Sequence, residues 1–80
     1  MALYFFHLRD GVDRLLDPDG QDLPDLGAVR LAALKEARFL VSQEAIAGAI
    51  KLGQRIEVED ETGEVVHRLS FNDAVVVFPS

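Results

Sequence analysis

Cysteine is absent from the 80-residue chain, so no disulfide, no thiolate nucleophile and no cysteine-ligated zinc can form. No apolar run approaches the roughly 20 residues that span a bilayer, so no membrane segment is expected. The start, Met1-Ala2-Leu3-Tyr4, has no basic stretch ahead of a long apolar one. No signal peptide is read there, and the cytoplasm is the expected location. Positive charge is scarce as well: eight basic against fourteen acidic residues leave the chain at −6. A domain held by phosphate contacts wants the opposite balance, so nucleic acid is disfavoured as the main partner.

Chemical signatures are equally thin. Gly11, Gly20, Gly27, Gly48, Gly53 and Gly63 form neither a G-x-G-x-x-G nor a P-loop pattern. No serine or cysteine nucleophile motif and no His-x-x-x-His spacing occurs. Repeats, linkers and low-complexity segments are missing too. These gaps point away from an enzyme, and no catalytic residue, metal or cofactor is assigned.

What is present is an ordinary globular composition, 49% hydrophobic and 28% charged, which argues against disorder. Residues 1–80 make one domain, near the lower size limit for a self-sufficient core. Without staples, such a domain relies on tight packing or on oligomerisation.

The chain is organised around one helix, from an N-cap at Asp25 to about Ala47. Leu26, Val29, Ala33, Leu34, Ala37, Leu40 and Val41 recur at the i, i+3, i+4, i+7 spacing of a buried stripe. Lys35, Glu36, Arg38, Ser42 and Gln43 cluster opposite, and Gly48 is the natural stop. Leu31, Phe39 and Ile46, with Ala28 and Ala32, interrupt the polar side. They are either scattered surface residues or a second, narrower contact stripe for a partner.

On either side of the helix the chain reads as short strands. Leu3–Leu8 is the densest apolar and aromatic run, with Leu3, Phe5 and His7 on one face and Tyr4, Phe6 and Leu8 on the other. Arg14–Asp17 is a second strand, closed by the turn Asp17-Pro18-Asp19-Gly20. Ala49–Gly53 is a connector. Gln54–Asp60 and Glu64–Ser70 form a hairpin about Glu61-Thr62-Gly63. Its preferred register puts Val65, His67 and Leu69 inward beside Ile56 and Val58. A bulged alternative would bring in Val66 and Arg68 instead. The β-prone tail Ala74–Phe78 is a fifth strand, a strand lent to a neighbour, or an aggregation liability. The expected fold is α+β: β-β-α-β-β, an antiparallel sheet with one long helix across one face and a possible extra C-terminal strand.

One helix covers one face, whereas the first strand offers large apolar groups to both. The expected interaction surface is therefore Leu3, Phe5, His7, Val66, Val75, Val77 and Phe78, buried by self-association. His7 and His67, the only histidines, would meet across the sheet. Asp17–Asp22 looks superficially like a calcium loop but places Ala28 or Val29 where a bidentate glutamate belongs, so it is read as a turn. Glu57, Glu59, Asp60, Glu61 and Glu64 read as a solvated acidic hairpin that discourages edge pairing.

The segment Tyr4-Phe5-Phe6-His7-Leu8-Arg9-Asp10-Gly11 resembles a family of short bacterial proteins known only as a domain of unknown function. The resemblance runs on through Asp19-Gly20, Leu23-Pro24-Asp25-Leu26, Arg55-Ile56-Glu57-Val58, Gly63 and Phe71–Ala74. It implies a stand-alone cytoplasmic protein with this element order. It brings no activity, cofactor or catalytic residue.

The functional expectation is a non-enzymatic interaction or regulatory module that forms a homo-oligomer or binds another, basic protein. The alternative is a small nucleic-acid or nucleotide binder, with Tyr4, Phe5 or Phe6 as a stacking platform among Arg9, Arg14, Arg55 and Arg68.

Overall fold

The computed structural model describes residues 1–79. In chain order the elements are β1 (Ala2–Asp10), β2 (Asp13–Leu15), β3 (Gln21–Leu23), α1 (Leu26–Ala47), β4 (Arg55–Glu59), β5 (Val65–Ser70) and α2 (Phe71–Ala74). Every strand pairing is antiparallel, and β1 lies at the centre. β4 pairs one side of β1 over Phe5–Arg9, and β5 pairs the far side of β4. The other side of β1 is shared, with β2 along Leu8–Asp10 and β3 along Ala2–Tyr4. The fold is α+β, as expected.

Before the helix, the expected strand Arg14–Asp17 ends at Leu15 as β2, and a further three-residue strand, β3, follows the turn. The turn Asp17-Pro18-Asp19-Gly20 interrupts pairing, since Pro18 has no N–H to give to a ladder. Asp17 Oδ1 accepts from the backbone N–H groups of Asp19 (3.1 Å) and Gly20 (3.2 Å), an Asx turn. Gly20 then passes β1 closely at φ +73°. A Cβ there would meet Tyr4 O at 2.9 Å and the Cδ1 atoms of Leu3 and Phe5 at 3.1 Å, so only glycine fits.

Helix α1 begins and ends on side-chain and backbone caps. Asp25 Oδ1 accepts from the Ala28 N–H at 2.8 Å, and Gly48 turns left-handed at φ +94°. Its buried line is Val29, Ala33 and Ala37, with Leu34, Leu40 and Val41 packed alongside. Two alanines at the contact let the helix axis approach the sheet closely. Leu26, in the first turn, stays exposed instead of joining the stripe. The core closes with Phe6, Ile56, Val58, Phe71 and Ala74.

The sheet is covered unevenly. α1 packs on β4 and β5 and meets β3 near its own start, leaving the β1–β2 half of that face less sheltered. At the helix exit, buried Gln54 donates to Glu44 Oε2 at 2.6 Å and to the Lys51 carbonyl at 3.0 Å. Its own carbonyl accepts from the Phe71 N–H. Through its side-chain amide and its backbone carbonyl, this one residue ties the end of α1 and the start of β4 to α2.

The C-terminal strand does not form. Ser70 Oγ accepts from the Asn72 N–H at 3.3 Å and opens the single-turn α2, which buries Phe71 and Ala74. That turn carries the chain off the sheet edge. Val75 packs on the core, and Val76, Val77 and Phe78 run outward without regular pairing.

Candidate functional site

Alternation and register assign each face. Tyr4, Phe6 and Leu8 on β1, Ile56 and Val58 on β4, and His67 and Leu69 on β5 look toward α1. Leu3, Phe5, His7 and Arg9, with Arg55, Glu57, Glu59 and Arg68, lie on the open face. The preferred hairpin register holds at His67↔Val58 and Leu69↔Ile56. A bulge between Val58 and Glu59 then changes the phase, so that Val66 packs against the core. Arg68 remains exposed, as preferred.

The open face is built around Glu57, which is 7% exposed. Three guanidinium groups converge on it: Arg9 Nη1 at 3.2 Å on Oε1, and Arg55 Nε at 3.3 Å and Arg68 Nε at 3.2 Å on Oε2. Burial raises the Glu57 pKa. The hydrogen bonds from Arg68 and Arg55 and the field of Arg9 outweigh it, so the carboxyl is held below its ordinary value. The acidic-hairpin reading is corrected here, because Glu57 is clasped and covered, not solvated.

Beside it, His7 and Asp17 bridge the interval between β2 and β3. The Asp17 N–H donates to His7 Nδ1 at 3.0 Å, and the Phe6 N–H donates to Asp17 Oδ2 at 3.2 Å. His7 Nε2 stands 3.3 Å from Glu59 Oε2. A backbone N–H can only donate, so Nδ1 is unprotonated and Nε2 carries the hydrogen toward Glu59. Burial raises the Asp17 pKa, but hydrogen bonds from the Phe6, Gly20 and Asp19 backbone outweigh it and lower the pKa overall. At the far end of β1, the Leu3 N–H donates to Glu61 Oε1 at 3.0 Å. Acid side chains thus finish the backbone pairing on both sides of β1.

His67 lies on the opposite face from His7, so the two histidines do not meet. Burial, and then the charge of Arg30, lower the His67 pKa. Arg30 belongs to α1, which fits the inward placement.

The second feature is a pair of adjoining clefts on the helix side. One, of about 400 Å³, lies between α1 and the β2–β3 segment. Phe6, Leu8 and Ile56 line it together with Leu15, Leu16 and Leu40. The other, of about 510 Å³, lies between α1 and β3 and includes Leu23, Leu31 and Phe39. Gln21 and Glu36 border both. Leu15 is 68% exposed and Phe39 57%.

The model of a Domain of unknown function (DUF6894) matches residues 3–72. The chain belongs to this family. No curated protein and no solved structure matches it. The DUF6894 match takes in the whole sheet, both clefts and the guanidinium cluster. It ends before Val75, Val77 and Phe78.

Of the expected interaction residues, Leu3 and Phe5 are half-buried on the open face and His7 is buried there. The Gly20 backbone covers the first two, and the Phe5 and His7 rings lie 6.4 Å apart at an interplanar angle of 7°. Val66 and Val75 pack on the core, while Val77 and Phe78 are exposed. Much of the apolar surface left bare lies along α1 and the β2 segment, and it includes Leu31 and Phe39, which the sequence offers either as scattered surface residues or as a second contact stripe. Sequence inspection missed Glu57 as the hub of three arginines. Only the cross-strand register brings Arg9 and Arg68 to it. Among the described residues, no group of three or more His, Asp or Glu side chains is placed to hold a metal. Among the same residues, no helix is long and apolar enough to cross a membrane.

Proposed function

We propose that this domain acts by binding and not by catalysis, as an interaction module that pairs with a second copy of itself. The observation behind this reading is the pair of adjoining clefts along α1, where exposed leucine and phenylalanine side chains stand beside the polar Asp17, Asp19, Gln21 and Glu36. Leu15 and Leu16 line the cleft toward the β2–β3 segment and Leu31 and Phe39 the one beside β3, all four more than half exposed. Removing such a side chain from water is worth about 1.5–3 kcal/mol, and a contiguous bare patch of this kind marks a contact surface.

The chain also supplies a segment suited to fill it. Val76, Val77 and Phe78 are uncharged and exposed, Phe78 at 84%. They leave α2 on the other flank of α1, where Arg38 Nε donates to the Ala74 carbonyl at 2.8 Å. Arg38 sits about 200° around the helix from Glu36 on the cleft side, so a second molecule is the natural occupant of each cleft. An apolar contact also suits a chain whose net charge of −6 would repel its own copy.

Light scattering at micromolar concentration tests this. The unaltered chain is expected to run as a dimer. Leu16→Ser with Phe39→Ser, and separately a chain ending at Val75, are expected to run as monomers with unchanged helix content. A monomeric unaltered chain overturns the proposal.

One observation favours a second reading, a nucleic-acid or nucleotide binder. Arg9, Arg14, Arg55 and Arg68 all lie on the open face beside Phe5 and His7. Tyr4 and Phe6 face α1, so the stacking platform reduces to a half-buried Phe5.

A further inference from the structure

The strand register sets three arginines side by side. Arg14 on β2 is directly opposite Arg9 on β1, and Arg9 is directly opposite Arg55 on β4. Arg55 in turn faces Ser70 on β5. Like charges in directly opposed positions destabilise a sheet, so a row of three needs a source of negative charge. Glu57, one row further along, supplies part of it. It is a single carboxylate, however, shared by Arg9, Arg55 and Arg68, and each of them gives it one nitrogen. Arg14 reaches only Glu59, at 3.8 Å. On this end of the face four guanidinium groups stand against two carboxylates, a local positive surplus on a chain that is otherwise acidic.

A second sign is independent of charge counting. Arg9 Nε is buried and has no hydrogen-bond partner among the described residues. A buried charged donor left unmatched is costly and invites an explanation. The neighbouring guanidinium groups of Arg14 and Arg55 remain partly exposed, so the row is open to solvent. The acidic residues Asp10 and Asp13 alternate onto the opposite face.

We infer that the Arg14–Arg9–Arg55 row, ending at Ser70, is a binding site for a phosphate group. Guanidinium forks match the paired oxygens of a tetrahedral oxyanion, and Ser70 adds a neutral hydroxyl at the end of the row. The inference shares its face with the second reading above. It differs in requiring no base to stack, because the arginine row alone does the binding. A free phosphate compound and a single strand of nucleic acid present the same group. Glu57 fixes the row in advance, since its clasp orders Arg9 and Arg55 before any ligand arrives.

The test is nuclear magnetic resonance on the full chain, labelled with nitrogen-15 and titrated separately with inorganic phosphate, adenosine monophosphate and a single-stranded oligothymidylate. Saturable movement of the Arg9, Arg14 and Arg55 side-chain N–H signals is expected. Arg14→Gln lies outside the Glu57 clasp and should leave the amide spectrum folded while weakening binding about tenfold. Arg55→Gln should do the same or more. Phosphate and nucleotide binding without tighter oligonucleotide binding supports the site and removes the second reading. Tighter oligonucleotide binding that both variants weaken supports the site, with a strand as its source. Oligonucleotide binding unaffected by either variant overturns the site while leaving the second reading in place. The absence of any saturable response at millimolar concentrations overturns it outright.

Discussion

Asp17 and His7 hold one another across the interval between β2 and β3, where that side of β1 has no strand beside it: the Asp17 N–H donates to His7 Nδ1 at 3.0 Å. The Asp17 carboxylate meanwhile accepts from the Phe6 N–H. Together they replace backbone pairing that the Pro18 turn forbids. Asp17→Ala removes the acceptor for three N–H groups, including that of Phe6. The expected cost is about 1–3 kcal/mol, read as a lower urea midpoint with an unchanged slope. In the unaltered chain, long-range nitrogen–proton spectra should show His7 as the neutral form protonated at Nε2. A proton on Nδ1 would contradict the geometry.

Glu57 answers three arginines, so its loss should be felt well beyond one ion pair. Glu57→Gln leaves buried positive groups uncompensated, and breaking a buried pair costs about 3–5 kcal/mol. With three partly exposed arginines, the lower end is expected in thermal or urea unfolding at neutral pH. Glu57→Leu should be no better tolerated, since it too strands the guanidinium groups.

The same residue gives a pH dependence with a definite sign. The pKa values of Glu57 and Asp17 are both held below their ordinary values of 4.5 and 3.8 in the folded chain. In the interval between folded and unfolded values, the unfolded state binds more protons. The stabilisation is therefore complete above the ordinary values and is lost as pH falls through the lower folded ones. Unfolding midpoints should decline on acidification through that range. Glu57→Gln should flatten the decline, and an unaltered slope in that variant would refute the linkage.

Gly20 permits the whole arrangement. Gly20→Val would demand a side chain at φ +73° and within about 3 Å of the Tyr4 carbonyl. The left-handed backbone alone costs about 1–2 kcal/mol, and the clash is with backbone, which cannot swing away. A loss of more than about 2 kcal/mol is expected from urea unfolding. Gly11→Ala, also at positive φ but with open space around it, should cost only the backbone part.

Local chemistry made much of this protein legible. Asp25 and Gly48 bound the helix because capping depends on residues a few positions apart, and the Val29, Ala33 and Ala37 stripe follows from helical period. The Asp17–Gly20 turn and the alternation of Ile56 and Val58 against Glu57 and Glu59 are similarly local. Other features depend on which strand lies beside which. The Ser70 cap and the burial of Phe71 overrode the β-propensity of Ala74–Phe78, because tertiary packing offered α2 a place in the core and that turn carried the tail off the sheet edge. The bulge moved Val66 inward, and α1 settled over β4 and β5, leaving the cleft beside Leu15 and Leu16 where the open face had been expected to be bare.

The sequence by itself determined the helix and its ends, the turns, the strand alternation and the surplus of acid, since each arises from neighbours along the chain. Only the tertiary structure decided that Arg14, Arg9 and Arg55 form a row, that Glu57 serves three of the arginines, and that His7 and His67 face opposite ways. Those relationships join residues up to 59 positions apart, Arg9 to Arg68 through Glu57. Long-range register is set by the packing of the whole sheet, which no local preference specifies.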